Sequence, residues 1–261
     1  MKRLLYLLSC AFIYTICWAD TVNLTWMDGD TTHSKTTCTI GGDLNVPATQ
    51  PTKYGYDFIG WKAKAAKELE YAKFQSNDEL SYIDTGIMFD SNEIEYEIKA
   101  QFAGNYSILF GAEGTCSGAT SMSNSSGSIF NAAYQTTYVF KAGTATIQVK
   151  EESSSTNTYS LYINKTNKNV IGTVNGDVYN TTLTGTVTAD KHIWLGGAGQ
   201  GKFCNFSGRI YYFKIKKDGV LVRDFVPVLD PDGVVCFYDK VTKEFFYNRN
   251  GPSLIAGPVI E

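Results

Sequence analysis

The stretch that decides the fold is Glu93-Ile94-Glu95-Tyr96-Glu97-Ile98, in which acidic and apolar residues alternate without interruption. Successive side chains of a β-strand point to opposite faces of the sheet, so Ile94, Tyr96 and Ile98 are expected to share one buried face. The three glutamates are then expected to face solvent. The pattern is typical of an antiparallel strand with one face on a core and the other in water.

Short apolar runs continue on both sides of this stretch, separated by clusters of Gly, Asn, Ser and Asp that favour turns. We predict strands at residues 82–87, 94–102, 106–111, 134–140, 144–150, 158–163, 192–195, 209–216, 220–228 and 234–238. Ten such runs over about 190 residues predict an all-β fold with two packed antiparallel sheets.

Parts of this region resemble the concanavalin A-like, laminin-G-like jelly-roll domains of exported bacterial proteins. They are Tyr82-Ile83-Asp84-Thr85-Gly86-Ile87, Leu109-Phe110-Gly111-Ala112, and the C-terminal run from Ser207-Gly208-Arg209-Ile210 to Ala256-Gly257-Pro258. The likeness covers about residues 70–258 and implies a two-sheet antiparallel jelly-roll sandwich. Such sandwiches host lectins, adhesion domains and glycosidases alike, so the resemblance implies no single function.

A smaller module precedes the sandwich. Its predicted parts are a strand at 21–26, a polar loop at 28–35, a strand at 36–40 and a Pro-punctuated connection at 46–51. It closes with Gly55-Tyr56-Asp57-Phe58-Ile59-Gly60-Trp61, which resembles the ending of the Listeria–Bacteroides repeat, the B-repeat of internalin-type surface proteins. The resemblance implies a small β-grasp-like module, a spacer or adhesive unit, with Tyr56, Phe58 and Trp61 in its core. A single copy argues against a spacer.

Residues 62–70 are rich in Ala, Lys and Glu, and they predict a linker turn or a brief helix. We place the domain boundary in this segment. The predicted organisation is a signal peptide at 1–19, the B-repeat-like module at 20–66 and the jelly-roll domain at 67–261.

The N-terminus has the layout of a secretory signal peptide. Met1-Lys2-Arg3 is a short positive region, residues 4–16 form an apolar run, and Ala19 precedes a plausible cut before Asp20. An uncleaved anchor and a lipoprotein cut before Cys10 are the alternatives. We expect a bacterial protein that is secreted or held at the cell envelope or surface, with no transmembrane segment after the signal is removed.

The cysteines suggest disulfide formation, with one preferred pair in the sandwich. Four cysteines remain after removal of the predicted signal peptide, and an even number of cysteines in an exported chain favours disulfide formation. We pair Cys116 with Cys204 because each follows a predicted strand by a short Gly-containing loop. Cys236 lies in an apolar strand and is expected to be a buried thiol, and Cys38 belongs to the other module. Four buried thiols are the alternative.

Composition excludes several classes of partner and site. Charged residues make up 19% of the 261 residues and the formal net charge is −3, so the chain has no basic field for nucleic acid. Zinc is not expected, because no C-x-x-C pair exists and neither histidine lies beside a cysteine.

The most enzyme-like feature is the run Glu93, Glu95 and Glu97, because glycoside cleavage uses two carboxylates and alternate residues of a strand share a face. Outward-facing charges on a half-exposed strand explain the run equally well. His33 and His192 lie in no nucleophile motif. We therefore predict no enzyme; a glycoside hydrolase on the same sandwich is the alternative.

Two Gly- or Asp-rich stretches are interpreted as turns. Residues 196–201 lack the Lys and Ser/Thr of a phosphate loop and predict a hairpin turn. Asp230-Pro231-Asp232-Gly233 has Pro and Gly where a β-turn favours them. Calcium at this turn is the alternative, and otherwise we expect no cofactor.

The predicted function is binding or adhesion outside the cytoplasm, with a carbohydrate or a surface protein as partner. Aromatic rings near strand ends would stack on a sugar, and we choose Tyr134, Tyr138, Tyr179 and Trp194 as candidates, although most aromatic residues of such a domain form its core. A structural spacer without a ligand is the remaining alternative.

Overall fold

The computed structural model describes residues 21–28, 31–39, 46–52, 66–75, 81–103, 107–112, 115–117, 121–123, 129–134, 137–143, 145–150, 155–184, 187, 191–197, 206–251 and 253–260. The chain divides into two compact units, Met1–Lys67 with Leu229–Val234 and Glu68–Val228 with Val235–Glu261. The predicted signal cleavage at Ala19 and Asp20, the aromatic residues Tyr56, Phe58 and Trp61, and Cys204 lie outside the described residues.

The first unit contains an antiparallel hairpin of β1 (Thr21–Asp28) and β2 (Thr31–Thr39). Leu24 and Trp26 are buried, and the Trp26 indole donates a 2.7 Å hydrogen bond to the Thr36 hydroxyl. The predicted polar loop at 28–35 is wrong, because β2 already begins at Thr31. Cross-strand pairing rather than apolar content determines strand structure in this polar, exposed end of the hairpin.

Every regular element in the described ranges is a strand. The remaining strands are β3 (Lys67–Glu68), β4 (Ala72–Phe74), β5 (Ile83–Asp84), β6 (Glu93–Phe102), β7 (Ser107–Ala112), β8 (Thr115–Ser117), β9 (Ser121–Ser123), β10 (Ile129–Tyr134), β11 (Thr137–Ala142), β12 (Ala145–Lys150), β13 (Thr156–Asn164), β14 (Asn169–Val174), β15 (Asp177–Thr182), β16 (Trp194–Leu195), β17 (Gly208–Lys217), β18 (Val220–Leu229), β19 (Val235–Asp239), β20 (Glu244–Phe246) and β21 (Ile255–Ala256). The all-β fold class predicted from the sequence is confirmed.

Two antiparallel sheets form the sandwich of the second unit. The large sheet has the order β15-β14-β13-β6-β17-β18-β19-β20, with β4 beside β17 and β21 beside β4. The small sheet has the order β12-β11-β10-β7-β16-β5. Strand β5 therefore ends the small sheet on one side, and β20 ends the large sheet on one side.

Aromatic rings form the centre of the core between the sheets. Phe213 of β17 lies 5.2 Å from Phe110 of β7 and 6.2 Å from Tyr96 of β6, measured between ring centroids. Phe225 of β18 extends the same group at 6.4 Å from Phe213. All four side chains are essentially inaccessible to solvent, so β6, β7, β17 and β18 pack around one continuous aromatic cluster.

The alternation of buried and solvent-facing side chains predicted for β6 is confirmed. Ile94, Tyr96 and Ile98 are buried, whereas Glu93, Glu95 and Glu97 lie half-exposed on the outer face. Side chains of the two neighbouring strands pair with these glutamates. Glu95 pairs with Lys216 at 3.1 Å, Glu97 pairs with Lys214 at 3.6 Å, and Glu93 accepts a 2.7 Å hydrogen bond from Asn164. Each glutamate thus has a partner on a neighbouring strand instead of facing a second carboxylate across a groove, which is the arrangement of a solvated strand.

Several predicted elements differ from the observed ones at turns. The single strand predicted at 134–140 is two strands, because β10 ends at Tyr134 and β11 begins at Thr137. The hairpin of β14 and β15 was not predicted; its turn residues Asn175 and Gly176 have φ values of 52° and 95°, the left-handed pair that an Asn-Gly hairpin turn favours. The helix considered for 62–70 is also not formed where the segment is described, since Lys67–Glu68 is a strand.

The structure describes three of the four cysteines outside the predicted signal peptide. Cys38 and Cys236 carry buried thiols, and the burial expected for Cys236 is confirmed. Cys116 lies in β8, but the pairing of its sulfur with Cys204 stays a prediction because Cys204 is outside the described residues.

Replacing Tyr96 with phenylalanine is expected to leave the free energy of unfolding unchanged or to raise it by about 1 kcal/mol. The Tyr96 hydroxyl is buried and has no hydrogen-bond partner among the described residues, so the substitution removes an unsatisfied polar atom. Burial also raises the pKa of Tyr96 well above its usual value. In the unfolded chain the phenol ionises at about pH 10, and because the folded state holds the proton to higher pH, the free energy of unfolding falls as the pH rises above that value.

Urea unfolding at about pH 7 and about pH 11 measures both effects of Tyr96→Phe, since tyrosine ionises between these values. The variant should lose less stability at alkaline pH than the parent. A variant that is less stable at neutral pH and keeps the parent's alkaline loss would contradict the role given to the buried hydroxyl.

Candidate functional site

The outer face of the small sheet carries a cluster of functional side chains at its end strand β5. In the pairing of β5 with β16, Trp194 lies opposite Asp84 and Leu195 opposite Ile83. Ile83, Ile193 and Leu195 are completely buried. Because strand side chains alternate between the two sheet faces, the neighbours of these buried residues lie together on the outer face. They are Tyr82, Asp84, His192 and Trp194.

Tyr82 and Trp194 form a stacked aromatic pair. Their ring centroids are 3.8 Å apart and their planes are inclined by 18°. Both side chains are half-buried, so part of the pair remains open to solvent. Burial, and secondarily the negative charge of Asp84, raise the pKa of Tyr82, and the positive charge of Arg249 opposes this shift. The Tyr82 hydroxyl therefore remains protonated at neutral pH and can donate a hydrogen bond.

Asp84 is fixed in place by two donors. The His192 ring nitrogen Nδ1 lies 2.9 Å from Asp84 Oδ1 and donates to it, because a carboxylate oxygen accepts. The backbone N–H of Gly86 donates to the same oxygen at 2.9 Å, and Gly86 adopts a φ of 67° at this tight turn. Asp84 also lines the adjoining groove.

An open groove of about 650 Å³ adjoins this cluster. It is lined by Asp84 and by the segment that contains β20 and the following loop, Glu244, Phe245, Phe246, Tyr247, Asn248 and Arg249. The Arg249 backbone N–H donates a 2.7 Å hydrogen bond to the Tyr82 carbonyl oxygen. The groove therefore lies at the side of the sandwich where the end strands β5 and β20 approach each other.

Arg223 contacts both the segment that follows β5 and strand β20. Its Nε donates to the carbonyl oxygen of Thr85 at 2.9 Å, directly after β5. Its guanidinium carbon lies 5.3 Å from the ring centroid of Phe246 in β20, and its NH1 pairs with the buried carboxylate of Asp239 at 3.5 Å. One side chain of β18 thus contacts Thr85, the residue after β5, and Phe246 of β20.

The four aromatic residues proposed as ligand contacts are placed very differently. Trp194 lies in the cluster just described, and Tyr179 is half-buried in β15 at the far end of the large sheet. Tyr138 corrects our expectation, because its ring is completely buried in the core, where it lies 5.0 Å from Tyr159. Tyr134 ends β10, and its side chain is outside the described part of the structure.

Tyr82, Asp84, His192 and Arg249 were not predicted from the sequence as members of one site. Tyr82 and Asp84 occupy alternate positions of a predicted strand, which was the available signal for a shared face. The pairing of this strand with residues 192–195 comes from sheet topology, which the local sequence pattern does not contain.

The turn at Asp230 has the geometry expected of it. The backbone N–H of Gly233 donates to the Asp230 carbonyl oxygen at 3.0 Å. The carboxylate oxygen Oδ1 of Asp230 accepts from the backbone of Asp232 and Val234, each at 2.8 Å.

In the described ranges, no three His, Cys, Asp or Glu side chains come close enough together to hold a metal ion. No helix of these ranges is long and apolar enough to cross a membrane.

No family model matches the chain, and no curated protein matches it. Several solved structures are similar in fold. A putative carbohydrate-binding protein from Bacteroides ovatus is 13% identical with a TM-score of 0.47, and the match covers 94% of this chain and 72% of that one. The CBM40 of the Ruminococcus gnavus IT-sialidase is 14% identical with a TM-score of 0.42, over 57% of this chain and 90% of the other.

Domains LG4-5 of the mouse laminin alpha1 chain are 13% identical with a TM-score of 0.41, and the match covers 75% of this chain and 52% of that one. A laminin-G domain and carbohydrate-binding jelly rolls are thus among the similar structures. The B-repeat-like module stays a prediction. At these identities and TM-scores the likeness concerns the fold alone.

Proposed function

We propose that this chain is a binding protein that holds a carbohydrate in the groove at the open side of the sandwich. The observation that carries the proposal is the stacked Tyr82–Trp194 pair, which shares the outer sheet face with Asp84 and His192 beside the groove. Recognition sites of this type combine an apolar aromatic surface with a few polar groups that fix the ligand's orientation.

The chemistry of the groove suits a sugar ring. A pyranose has an apolar C–H face and polar hydroxyl edges, so it uses an aromatic surface and hydrogen-bonding groups at the same time. Tyr82 and Trp194 supply an aromatic surface beside the groove. Asp84 supplies a carboxylate acceptor, and Arg249 at the groove wall supplies guanidinium donors.

Hydrolysis is the competing function, and one observation favours it: Asp84 and Glu244 line the same groove. Asp84 accepts hydrogen bonds from the His192 ring and the Gly86 backbone. A glycosidase would also need a protonated carboxylic acid, and Glu244 is exposed to solvent, where nothing excludes water from it. We therefore propose binding without turnover; release of reducing sugar ends from the bound polysaccharide, abolished by Glu244→Gln, would replace this proposal by hydrolysis.

Export to the cell surface is part of the proposal and rests on the charged, apolar and small-residue pattern of residues 1–19. The mature protein is then expected to begin at Asp20, which N-terminal sequencing of the mature chain checks. A B-repeat-like module ahead of the binding domain suits adhesion, in which one module displays the other.

Trp194→Ala is expected to weaken the binding of the best neutral oligosaccharide from a glycan array at least about tenfold. The substitution removes half of the aromatic pair from a half-buried, outward-facing position, so the fold should survive it. Isothermal titration calorimetry gives the dissociation constant, and circular dichroism with thermal unfolding verifies that the variant is folded.

Tyr179→Ala is the matched control, since Tyr179 is also a half-buried aromatic residue but lies in β15, at the far end of the large sheet. It should bind the same oligosaccharide as well as the parent does. Equal affinity of the parent and Trp194→Ala, or a loss only in Tyr179→Ala, would place the ligand elsewhere and defeat the proposal.

A further inference from the structure

The outer face of the large sheet carries a second group of side chains, which we call the cationic aromatic patch. It consists of Tyr71, Lys73, Lys99, Arg209 and Tyr211, all half-buried. Three strands supply them: Tyr71 directly precedes β4, Lys73 lies in β4, Lys99 lies in β6, and the other two lie in β17. Lys73 is directly opposite Arg209 in the pairing of β4 with β17, so the patch spans adjacent strands on one face of the sheet.

A β-bulge in β17 brings Tyr211 to this face. The register between β17 and β6 shifts between Ile210 and Tyr212, while Ile210 and Phe213 on either side remain completely buried. The two intervening tyrosines are therefore both turned away from the core. Bulges are a common means of redirecting side chains toward functional surfaces.

The rings hold the cations in position. The Arg209 guanidinium carbon lies 4.6 Å from the ring centroid of Tyr71, and the Lys99 ammonium lies 5.2 Å from that of Tyr211. The two rings meet edge to face at 5.6 Å. These cation–π contacts limit the freedom of the long side chains, so less entropy is lost when the charges engage a ligand.

The positive charges of the patch are not neutralised within the described part of the chain. On the same sheet face, Lys214 pairs with Glu97 and Lys216 pairs with Glu95. Lys73, Lys99 and Arg209, by contrast, have no carboxylate within 4.0 Å among the described residues. Three uncompensated cations concentrated at one end of β17 create a local positive potential on a chain whose formal net charge is −3.

We propose that the cationic aromatic patch binds an acidic polysaccharide, whose anionic groups pair with Lys73, Lys99 and Arg209 while its sugar rings contact Tyr71 and Tyr211. The hydroxyl of Tyr211 lies 3.3 Å from that of Thr156, and this pair adds hydrogen-bonding groups for sugar hydroxyls at the edge of the patch. The patch belongs to the large sheet and the groove to the side where β5 and β20 meet. Binding at the patch therefore does not depend on the function proposed for the groove.

The test measures the affinity of the mature protein for four soluble polymers by affinity electrophoresis. Polygalacturonate and dextran sulfate carry anionic groups on sugar rings, dextran carries rings without charge, and poly-L-glutamate carries carboxylates without rings. We expect binding of one or both acidic polysaccharides, weakened by added salt because exposed charge pairs are screened. The two polymers distinguish carboxylate from sulfate as the preferred group.

The double variant Lys99→Gln/Arg209→Gln is expected to bind the preferred acidic polysaccharide at least about fivefold more weakly, since each removed contact is an exposed charge pair of modest strength. Lys214→Gln is the matched control, because it removes a lysine of the same strand whose charge is already paired with Glu97. It should retain nearly the parental affinity, and so should Trp194→Ala.

Three results would overturn the inference. The first is poly-L-glutamate or dextran binding as tightly as the acidic polysaccharides, since sugar and charge are then not both required. The second is a loss in Lys214→Gln equal to that in the double variant, because attraction would then be unspecific. The third is a loss in Trp194→Ala with none in the double variant, which assigns the acidic polysaccharide to the groove.

Discussion

Replacing Asp239 with alanine is expected to lower the free energy of unfolding by about 3–5 kcal/mol. Asp239 ends β19 and is completely buried. Its Oδ1 accepts from the backbone N–H groups of Asp224 and Val241, at 2.8 and 3.1 Å. Its Oδ2 accepts from the backbone and the hydroxyl of Thr242, at 3.3 and 2.9 Å.

Alanine at this position leaves those four donors without their acceptor, and it leaves the half-buried Arg223 without its carboxylate partner at 3.5 Å. Water reaches the vacated position poorly, so most of the desolvation cost is not recovered. Urea unfolding followed by circular dichroism measures the loss. Asp177→Ala, which removes an exposed carboxylate in a hairpin of the large sheet, should leave the unfolding midpoint unchanged.

The same substitution reports on the groove, because Arg223 also contacts Phe246, which lines the groove, and Thr85, which follows the lining residue Asp84. Asp239→Ala is therefore expected to weaken oligosaccharide binding even under conditions in which the variant is fully folded. A loss of stability below about 1 kcal/mol would show that the carboxylate is not the organising group of the β19–β20 turn.

The strands with strict alternation could be predicted from the sequence, and β6 is the best example. Burial of Ile94, Tyr96 and Ile98 follows from a period of two residues, which is a local property. The split at Tyr134 and Thr137 could not be predicted this way, because no Gly, Pro, Asn or Asp lies between β10 and β11 to indicate a turn. The β14–β15 hairpin was predictable in principle, since Asn175-Gly176 is a strong hairpin signal.

The candidate site could be predicted only in fragments. Trp194 was chosen because it lies near a strand end, and the same criterion chose Tyr138, which packs in the core. An aromatic residue of a strand is buried if its side chain points to the core face. One residue more or less in a neighbouring turn reverses the face to which each side chain points. The approach of Arg249 to Tyr82 joins residues far apart in the chain, so it becomes visible only when the end strands of both sheets are placed.

Replacing Phe213 with alanine is expected to lower the free energy of unfolding by about 3–5 kcal/mol, the usual range for a large aromatic side chain removed from a packed core. Phe213 is completely buried and is the common neighbour of three other rings, those of Tyr96, Phe110 and Phe225. These rings come from β6, β7 and β18, so Phe213 joins the two sheets. Collapse of the cavity would require several strands to move together, and the cavity should therefore persist.

Phe213→Leu provides the graded control, because leucine fills much of the same volume and keeps the site apolar. It is expected to cost less than half as much as alanine, with both variants measured by urea unfolding at the same temperature. An unchanged slope of free energy against urea concentration shows that the unfolded state is comparable in all three proteins. Equal losses for leucine and alanine would indicate that ring contacts rather than filled volume supply the stability, and a loss below about 1 kcal/mol in both would remove Phe213 from the centre of the core.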